Sequence, residues 1–540
     1  MRSVIVLVAL TTPLAAAELP QTTAEASGYT ATSTHAEVMA YVRELQQRSS
    51  RIRVEMLGTS AEGRPIPLLV IGAPVPASPG ELRHDRRAVV YFQANIHAGE
   101  VEGKEAALMV ARDLLSGEAS KYLDRLVVLI APVFNPDGNE KISTTNRPTQ
   151  NGPAAGVGVR VNGQNLDLNR DGIKLESPEV RGLVRNVLGR WDPVFFLDSH
   201  THNGSYHQEP VTWVWGLNPN GDAAIFDYMA DTVWPAIEKK MRVDFGTLTI
   251  PHGDFLDARE PGRGWAPLGP EPRYLSNYVG LRNRLAVLDE QYPYADFETR
   301  VRGARHLMLS FLDFLYEHRE EVVDLVGKAD RKTVVRGGNP TGSDVFVIET
   351  QPERVKRTLT IQGYEMEVTD TGGRYPKVQP TDVARTYRDV PYLAKYAPTR
   401  TVRLPRGYLI SPADPAIVGK IRDHGIVVER LVAPVTVEVE AFSVSKLTGS
   451  PFSDQGHFTT TVEGAYLTKE VAFPAGSYYV GMAQPLANVA AQLLEPESPD
   501  GLVTWNFLDR YLAFQWIPQP MESPVYKVHQ VVHLATDTIQ

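Results

Sequence analysis

Long apolar runs and amphipathic runs alternate through the first part of the chain. AVVYFQANI (Ala88–Ile96), LVVLIAPVF (Leu126–Phe134) and PVFFLDSH (Pro193–His200) are nearly unbroken apolar stretches. Such runs predict strands buried on both faces. AEVMAYVRELQQ (Ala36–Gln47), GKEAALMVARDLL (Gly103–Leu115) and SPEVRGLVRNVLGR (Ser177–Arg190) repeat their apolar residues at helical spacing. RLAVLDEQ (Arg284–Gln291) predicts another strand, followed by a helix from about Glu298 to Glu317. Near the start, Arg53–Leu57 and LLVIG flank the turn GTSAEGRPIP (Gly58–Pro67). Strands alternating with helices predict an α/β domain with a mixed, mostly parallel sheet covered on both faces. In such sheets a ligand is expected beyond the carboxyl ends of the strands.

The pattern changes after about Val326. DVFVIET, TLTIQGYEMEVT, VTVEVEAFSV and FTTTVEGAYLTKEVAF alternate and are rich in β-branched residues, which predicts a β-rich C-terminal domain. One αβ insert, Gly407–Leu431, interrupts it. The charged, Gly-rich stretch GKADRKTVVRGGNP reads as the boundary. At the other end, Arg2 precedes the apolar run Val4–Leu10, and Ala15–Ala17 offers a small-residue cleavage site. This predicts a secretory signal peptide cut after Ala17, too short to span a bilayer. The expected plan is a signal peptide over 1–17, a catalytic domain over 18–326, a linker over 327–340 and a β-rich accessory region over 341–540.

Composition narrows the chemistry. Of 540 residues, 43% are hydrophobic and 22% charged, an ordinary globular balance that excludes a disordered or multi-spanning chain. The formal net charge of −9 does not suit a nucleic-acid partner, and no later stretch predicts a membrane span. There is no cysteine, so disulfides, thiolate catalysis and cysteine-bound metals are excluded together. Any metal must be held by carboxylates and the 13 histidines.

Four polar elements fall at expected strand ends. NIHAGEVEG brings His97 and Glu100 within three residues. LDSHTHNG adds His200. Two histidines and one glutamate, as a short pair plus a distant third ligand, form a catalytic zinc set that keeps one position open. NLDLNRD (Asn165–Asp171), with NPDG upstream, and LAVLDEQYPY, carrying Glu290, complete the group. A carboxylate that is not a ligand can serve as general base.

The order NIHAGEVEG, NPDG, VRVNGQNLDLNR, DSHTHN and LRNRLAVLDEQ resembles the zinc metallocarboxypeptidases of the carboxypeptidase A and B type. GTSAEGRPI also looks like that family's opening turn. The resemblance covers about residues 30–320. It is that of a bacterial secreted member carrying a C-terminal accessory region, and it implies the family's eight-stranded type of sheet. It assigns one zinc per chain to His97, Glu100 and His200, and the catalytic carboxylate to Glu290. It assigns Asn169 and Arg170 to the substrate's terminal carboxylate, and Asp167 to orienting the first zinc histidine. The arginine that polarises the scissile carbonyl is matched to Arg160, with Arg147 as the other candidate. A substrate-capping tyrosine has two candidates, Tyr274 and Tyr278.

The implied activity is hydrolysis of the C-terminal peptide bond, by a zinc-activated water with Glu290 as general base. The expected partner is a peptide with a free C-terminal carboxylate, met outside the cytoplasm in a secreted or periplasmic setting. Two alternatives use the same scaffold. One cuts peptidoglycan stem peptides as a carboxypeptidase or amidase. The other is a non-catalytic peptide- or glycan-binding protein.

Overall fold

The structure, a computed structural model, describes residues 19–202, 204–373, 376–513 and 521–539. The expected signal peptide lies outside the described residues.

Ten strands are found before residue 300. They are β1 (Ile52–Thr59), β2 (Pro65–Ile71), β3 (Ala88–Ala94), β4 (Leu126–Ala131), β5 (Phe195–Thr201), β6 (Val211–Trp215), β7 (Thr249–Pro251), β8 (Asp254–Phe255), β9 (Trp265–Ala266) and β10 (Leu285–Gln291). Eight form one sheet in the order β1-β2-β4-β3-β5-β10-β6-β7, while β8 and β9 make a separate small ladder. The four central strands, β4, β3, β5 and β10, run parallel. Each is buried along its whole length, which explains why these runs carry no alternation. The expected mixed, mostly parallel eight-stranded sheet is present. β3 stops earlier than its apolar run, because Asn95 takes a left-handed backbone at φ 64° and turns the chain into the His97 loop.

Helices pack on both faces. His35–Arg48 starts with a capping box, Thr34 and Glu37 each bonding the other's backbone. Glu102–Leu115 lies against β5 so closely that a Cβ on Gly103 would overlap Ser199 Oγ. Only glycine allows this approach, which brings the loop before the helix beside the end of β5. The expected helix Ser177–Arg190 is capped by Ser177 and is α-helical over Pro178–Leu183. It then widens into a π turn over Val184–Leu188. The helix Phe297–Glu317, capped by Asp296, follows β10.

The stretch 327–340 was expected to be a linker but is largely helix, since one helix runs from Arg319 to Gly338. Val322, Val326, Ala329 and Thr333 repeat at three or four residues and are buried. The charged residues between them occupy the solvent face, so charge here marks amphipathicity. Gly337 lies against the Met482 carbonyl, leaving no room for a Cβ.

The C-terminal region is β-rich. It has two two-stranded ladders and an antiparallel seven-stranded sheet. The insert appears as a strand at Gly407–Ile410, a helix at Pro415–Asp423 and a strand at Glu429–Leu431. One apolar core joins residues of both halves: Leu57, Tyr91 and Leu275 share it with Ile417, Val480 and Trp505. The C-terminal region is therefore packed into the catalytic domain. Among the described residues, no helix is long and apolar enough to cross a membrane.

Candidate metal centre and substrate cleft

β3, β5 and β10 end side by side. Ala94 pairs with Ser199, and His200 pairs with Glu290. The parallel register carries two functional side chains to the same sheet edge, and the tight turn after Asn95 adds His97 and Glu100.

His97, Glu100 and His200 are buried, and among the described residues they form the one group placed to hold a metal ion. His97 Nδ1 lies 3.1 Å from both Glu100 oxygens. His200 Nδ1 lies 3.1 Å from Glu100 Oε2 and 3.2 Å from His97 Nδ1. Zinc bonds of 2.0–2.2 Å in tetrahedral geometry separate donor atoms by about 3.4 Å. The triangle matches that spacing, and nitrogen and oxygen donors suit zinc.

Surrounding groups orient each donor. Asp167 Oδ1 stands 2.9 Å from His97 Nε2. Asp198 Oδ2 stands 2.9 Å from His200 Nε2, close but not in hydrogen-bond alignment. Arg147 Nη1 and the Thr201 backbone N–H donate to the two oxygens of Glu100, at 2.9 and 3.0 Å. The local field favours a cation. Burial would push the Glu100 carboxyl up, but the charges of His97 and Arg147 hold it well below its usual range. Burial would push the His200 imidazole down, yet Asp198 and Glu100 raise it well above its ordinary value. Asp167 is likewise lowered, the charge of His97 overcoming burial.

A cleft of about 220 Å³ opens above this triangle, and its lining includes Arg160, Asn169, Arg170, His202, His252 and Glu290. Glu290 is buried, and among the described residues its Oε2 has no hydrogen-bond partner. Burial pushes its carboxyl up to about 8; the nearby His200 opposes this and Glu100 adds to it. Arg160 donates through Nε to Asp167 Oδ2 at 2.8 Å, with its side chain still 43% exposed. Arg147 is committed elsewhere: beyond Glu100, it donates to the Thr201 carbonyl and to Gln150. Asn169 Oδ1 accepts from the Leu275 backbone N–H at 2.9 Å. Arg170 spends Nη1 on the Asn169 carbonyl, and its guanidinium lies 4.6 Å from the Tyr274 ring centre.

The structure thus gathers all eight expected site residues around one cleft. It separates the two tyrosine candidates. Tyr278 is fully buried and bonded to His424 and Arg282, whereas Tyr274 stands beside Arg170. Asp198 is a further neighbour of the site, 2.9 Å from His200 Nε2. Its two-residue spacing from His200, which puts both on one face of β5, was the available signal. His202, His207 and His252 form a further buried ring cluster, with His202 5.4 Å from each of the others. Burial pushes His207 down to about 3 and His252 to about 4, so both rings are neutral near pH 7, and His252 lines the cleft.

Residues 38–207 match the family model described as zinc carboxypeptidase, peptidase M14. That span includes all three metal ligands and ends before Glu290. In this span and in its ligand set the chain is similar to the zinc carboxypeptidases. Carboxypeptidase 2 of Trichophyton rubrum is 25% identical over 509 residues, covering 88% of this chain and 85% of its own. Carboxypeptidase D of Rattus norvegicus is 26% identical over 210 residues, covering 33% of this chain and 15% of its own. Among solved structures, a metallo-carboxypeptidase from Burkholderia cenocepacia aligns with 53% of this chain and 69% of that one. It does so at 19% identity and a TM-score of 0.39.

Proposed function

We propose that the enzyme releases the C-terminal residue of peptides, with Glu290 as general base and Asn169–Arg170 as the anchor for the terminal carboxylate. A zinc ion held by His97, Glu100 and His200 supplies a Lewis acid and lowers the pKa of water at the site toward about 7. Glu290 takes a proton through its unpartnered Oε2 and returns it to the leaving amine. Arg160 faces the cleft beside the metal ligands and stabilises negative charge on the carbonyl oxygen. Arg170 presents a planar fork that can pair bidentately with a carboxylate.

The observation that carries this reading is the cleft's division of charge. Arg160 and Arg170 line it together with an unpartnered glutamate around one donor triangle. An endopeptidase has no need of an arginine fork at a fixed distance from the metal, whereas an exopeptidase does. The test is amino-acid release from a peptide with a free C-terminus and from its amidated twin, with and without chelator. Release confined to the free acid and abolished by chelation supports the proposal. Equal cleavage of both peptides rejects the anchor.

We also propose that the protein is exported. The charged start, short apolar run and Ala15–Ala17 support this. N-terminal sequencing of the mature protein should begin at Glu18.

A further inference from the structure

The C-terminal region sends one hairpin tip back to the metal centre. The long strands Val435–Gly449 and Thr460–Phe473 pair antiparallel. The connection between them makes a tight turn, Asp454-Gln455-Gly456-His457, closed by two backbone bonds of 2.8 and 2.9 Å between Asp454 and His457. Both central residues are left-handed, Gln455 at φ 52° and Gly456 at φ 85°. Such turns favour asparagine or glycine, and a glutamine there is held against its backbone preference.

Three side chains leave this turn for the catalytic domain. Asp454 Oδ2 accepts from Arg273 Nη1 at 2.7 Å, and His457 Nε2 stands 3.0 Å from Glu176. Gln455 Oε1 accepts from the backbone N–H of Asp167 at 2.7 Å. The first two contacts suffice to fasten one domain to the other, and buried Asp500 also grips Arg273. The third reaches the residue whose carboxylate meets both His97 and Arg160.

We propose that Gln455 is a positioning residue for the metal centre, fixing the Asp167 peptide so that its carboxylate holds the His97 ring at the metal. This rests on Asp167 being the group that orients His97. The strained turn then has a purpose: a glutamine in the left-handed position spans a gap that the shorter asparagine, better suited to the backbone, would not. The accessory region is on this view a structural part of the zinc site.

The test uses the full chain. Gln455→Gly relaxes the turn while removing the contact, and Gln455→Glu keeps an acceptor oxygen at the same reach. For each, zinc affinity is measured by chelator competition and the thermal midpoint is measured without metal. Gln455→Gly should keep or raise the metal-free midpoint and weaken zinc binding about tenfold, in the range for loss of a group that orients a ligand. Gln455→Glu should return to within about threefold of the wild type. Wild-type zinc affinity in Gln455→Gly overturns the proposal. So does an equal fall in midpoint and zinc affinity for both variants, which would mean simple domain adhesion. Asp167→Ala separates two failures. Wild-type zinc affinity in that variant removes the role of Asp167 itself. A weakened Asp167→Ala beside an unaffected Gln455→Gly removes Gln455 alone.

Discussion

His97 Nε2 and Asp167 Oδ1 lie 2.9 Å apart, and this contact decides which ring nitrogen faces the metal. A carboxylate can only accept, so Nε2 carries the proton and Nδ1 is left as an electron-pair donor beside Glu100 and His200. Asp167→Ala should therefore weaken zinc binding by about 10–100-fold. Asp167→Asn, which can still accept through its carbonyl oxygen, should lose less. Competition with a chelator of known affinity measures both, and equal affinity in all three proteins would deny the contact its role.

The two arginine candidates separate by what they touch. Arg147 is spent on Glu100, Gln150 and the Thr201 carbonyl, while Arg160 faces the cleft. Arg160→Ala should lower kcat by about 10²–10³-fold, the usual loss for one donor to a developing oxyanion, with zinc content near one per chain. Arg147→Ala should act mainly on zinc occupancy. Steady-state kinetics paired with metal analysis distinguish the two patterns.

Glu290→Gln preserves shape and removes the proposed base. Zinc binding should stay near the wild-type level while kcat falls by at least about 10²-fold, the lower end for general acid–base catalysis. Full activity in a zinc-loaded variant would exclude Glu290 as base.

His424 supplies a pH test away from the metal. Its Nε2 stands 3.1 Å from the Ile173 carbonyl, and its Nδ1 stands 2.8 Å from the Tyr278 hydroxyl. The carbonyl can only accept, so Nε2 donates and Nδ1 accepts from the hydroxyl. The neutral ring is thus fully satisfied. Burial, with repulsion from Arg282 and Lys420, pushes its pKa down to about 3, against about 6.5 for a free histidine. Between those values the unfolded chain binds a proton that the folded chain refuses. The stabilisation is complete above pH 6.5 and is lost as pH falls toward 3, with a slope approaching about 1.4 kcal/mol per pH unit. His424→Gln should remove that slope. Urea unfolding of both proteins between pH 4 and 8 measures it, and a wild-type-minus-variant difference that stays flat on acidification would contradict it.

Some of this structure is legible in the residues and some is not, for physical reasons. The central strands declare themselves because burial on both faces leaves only apolar choices, as in Ala88–Ala94 and Leu126–Ala131. The ligand set is legible because each ligand lies in the last residues of a strand or a few residues beyond its end. The stretch after Gly327 is misleading, since the solvent face of a half-buried helix and a charged linker share one composition. The placement of Tyr278 depends on His424, 146 positions later. The link from Gln455 to Asp167 spans 288 positions. No local pattern records either contact, because each exists only after the C-terminal region has packed onto the sheet.

The central claim is a zinc-dependent exopeptidase centred on His97, Glu100 and His200. Its most direct test is to measure metal content and C-terminal amino-acid release on the same preparation, before chelation, after it, and after zinc is returned. The expected result is one zinc per chain, with release from free-acid peptides that stops when the metal is removed and recovers when it is restored. Release that continues in fully metal-free protein would contradict the claim.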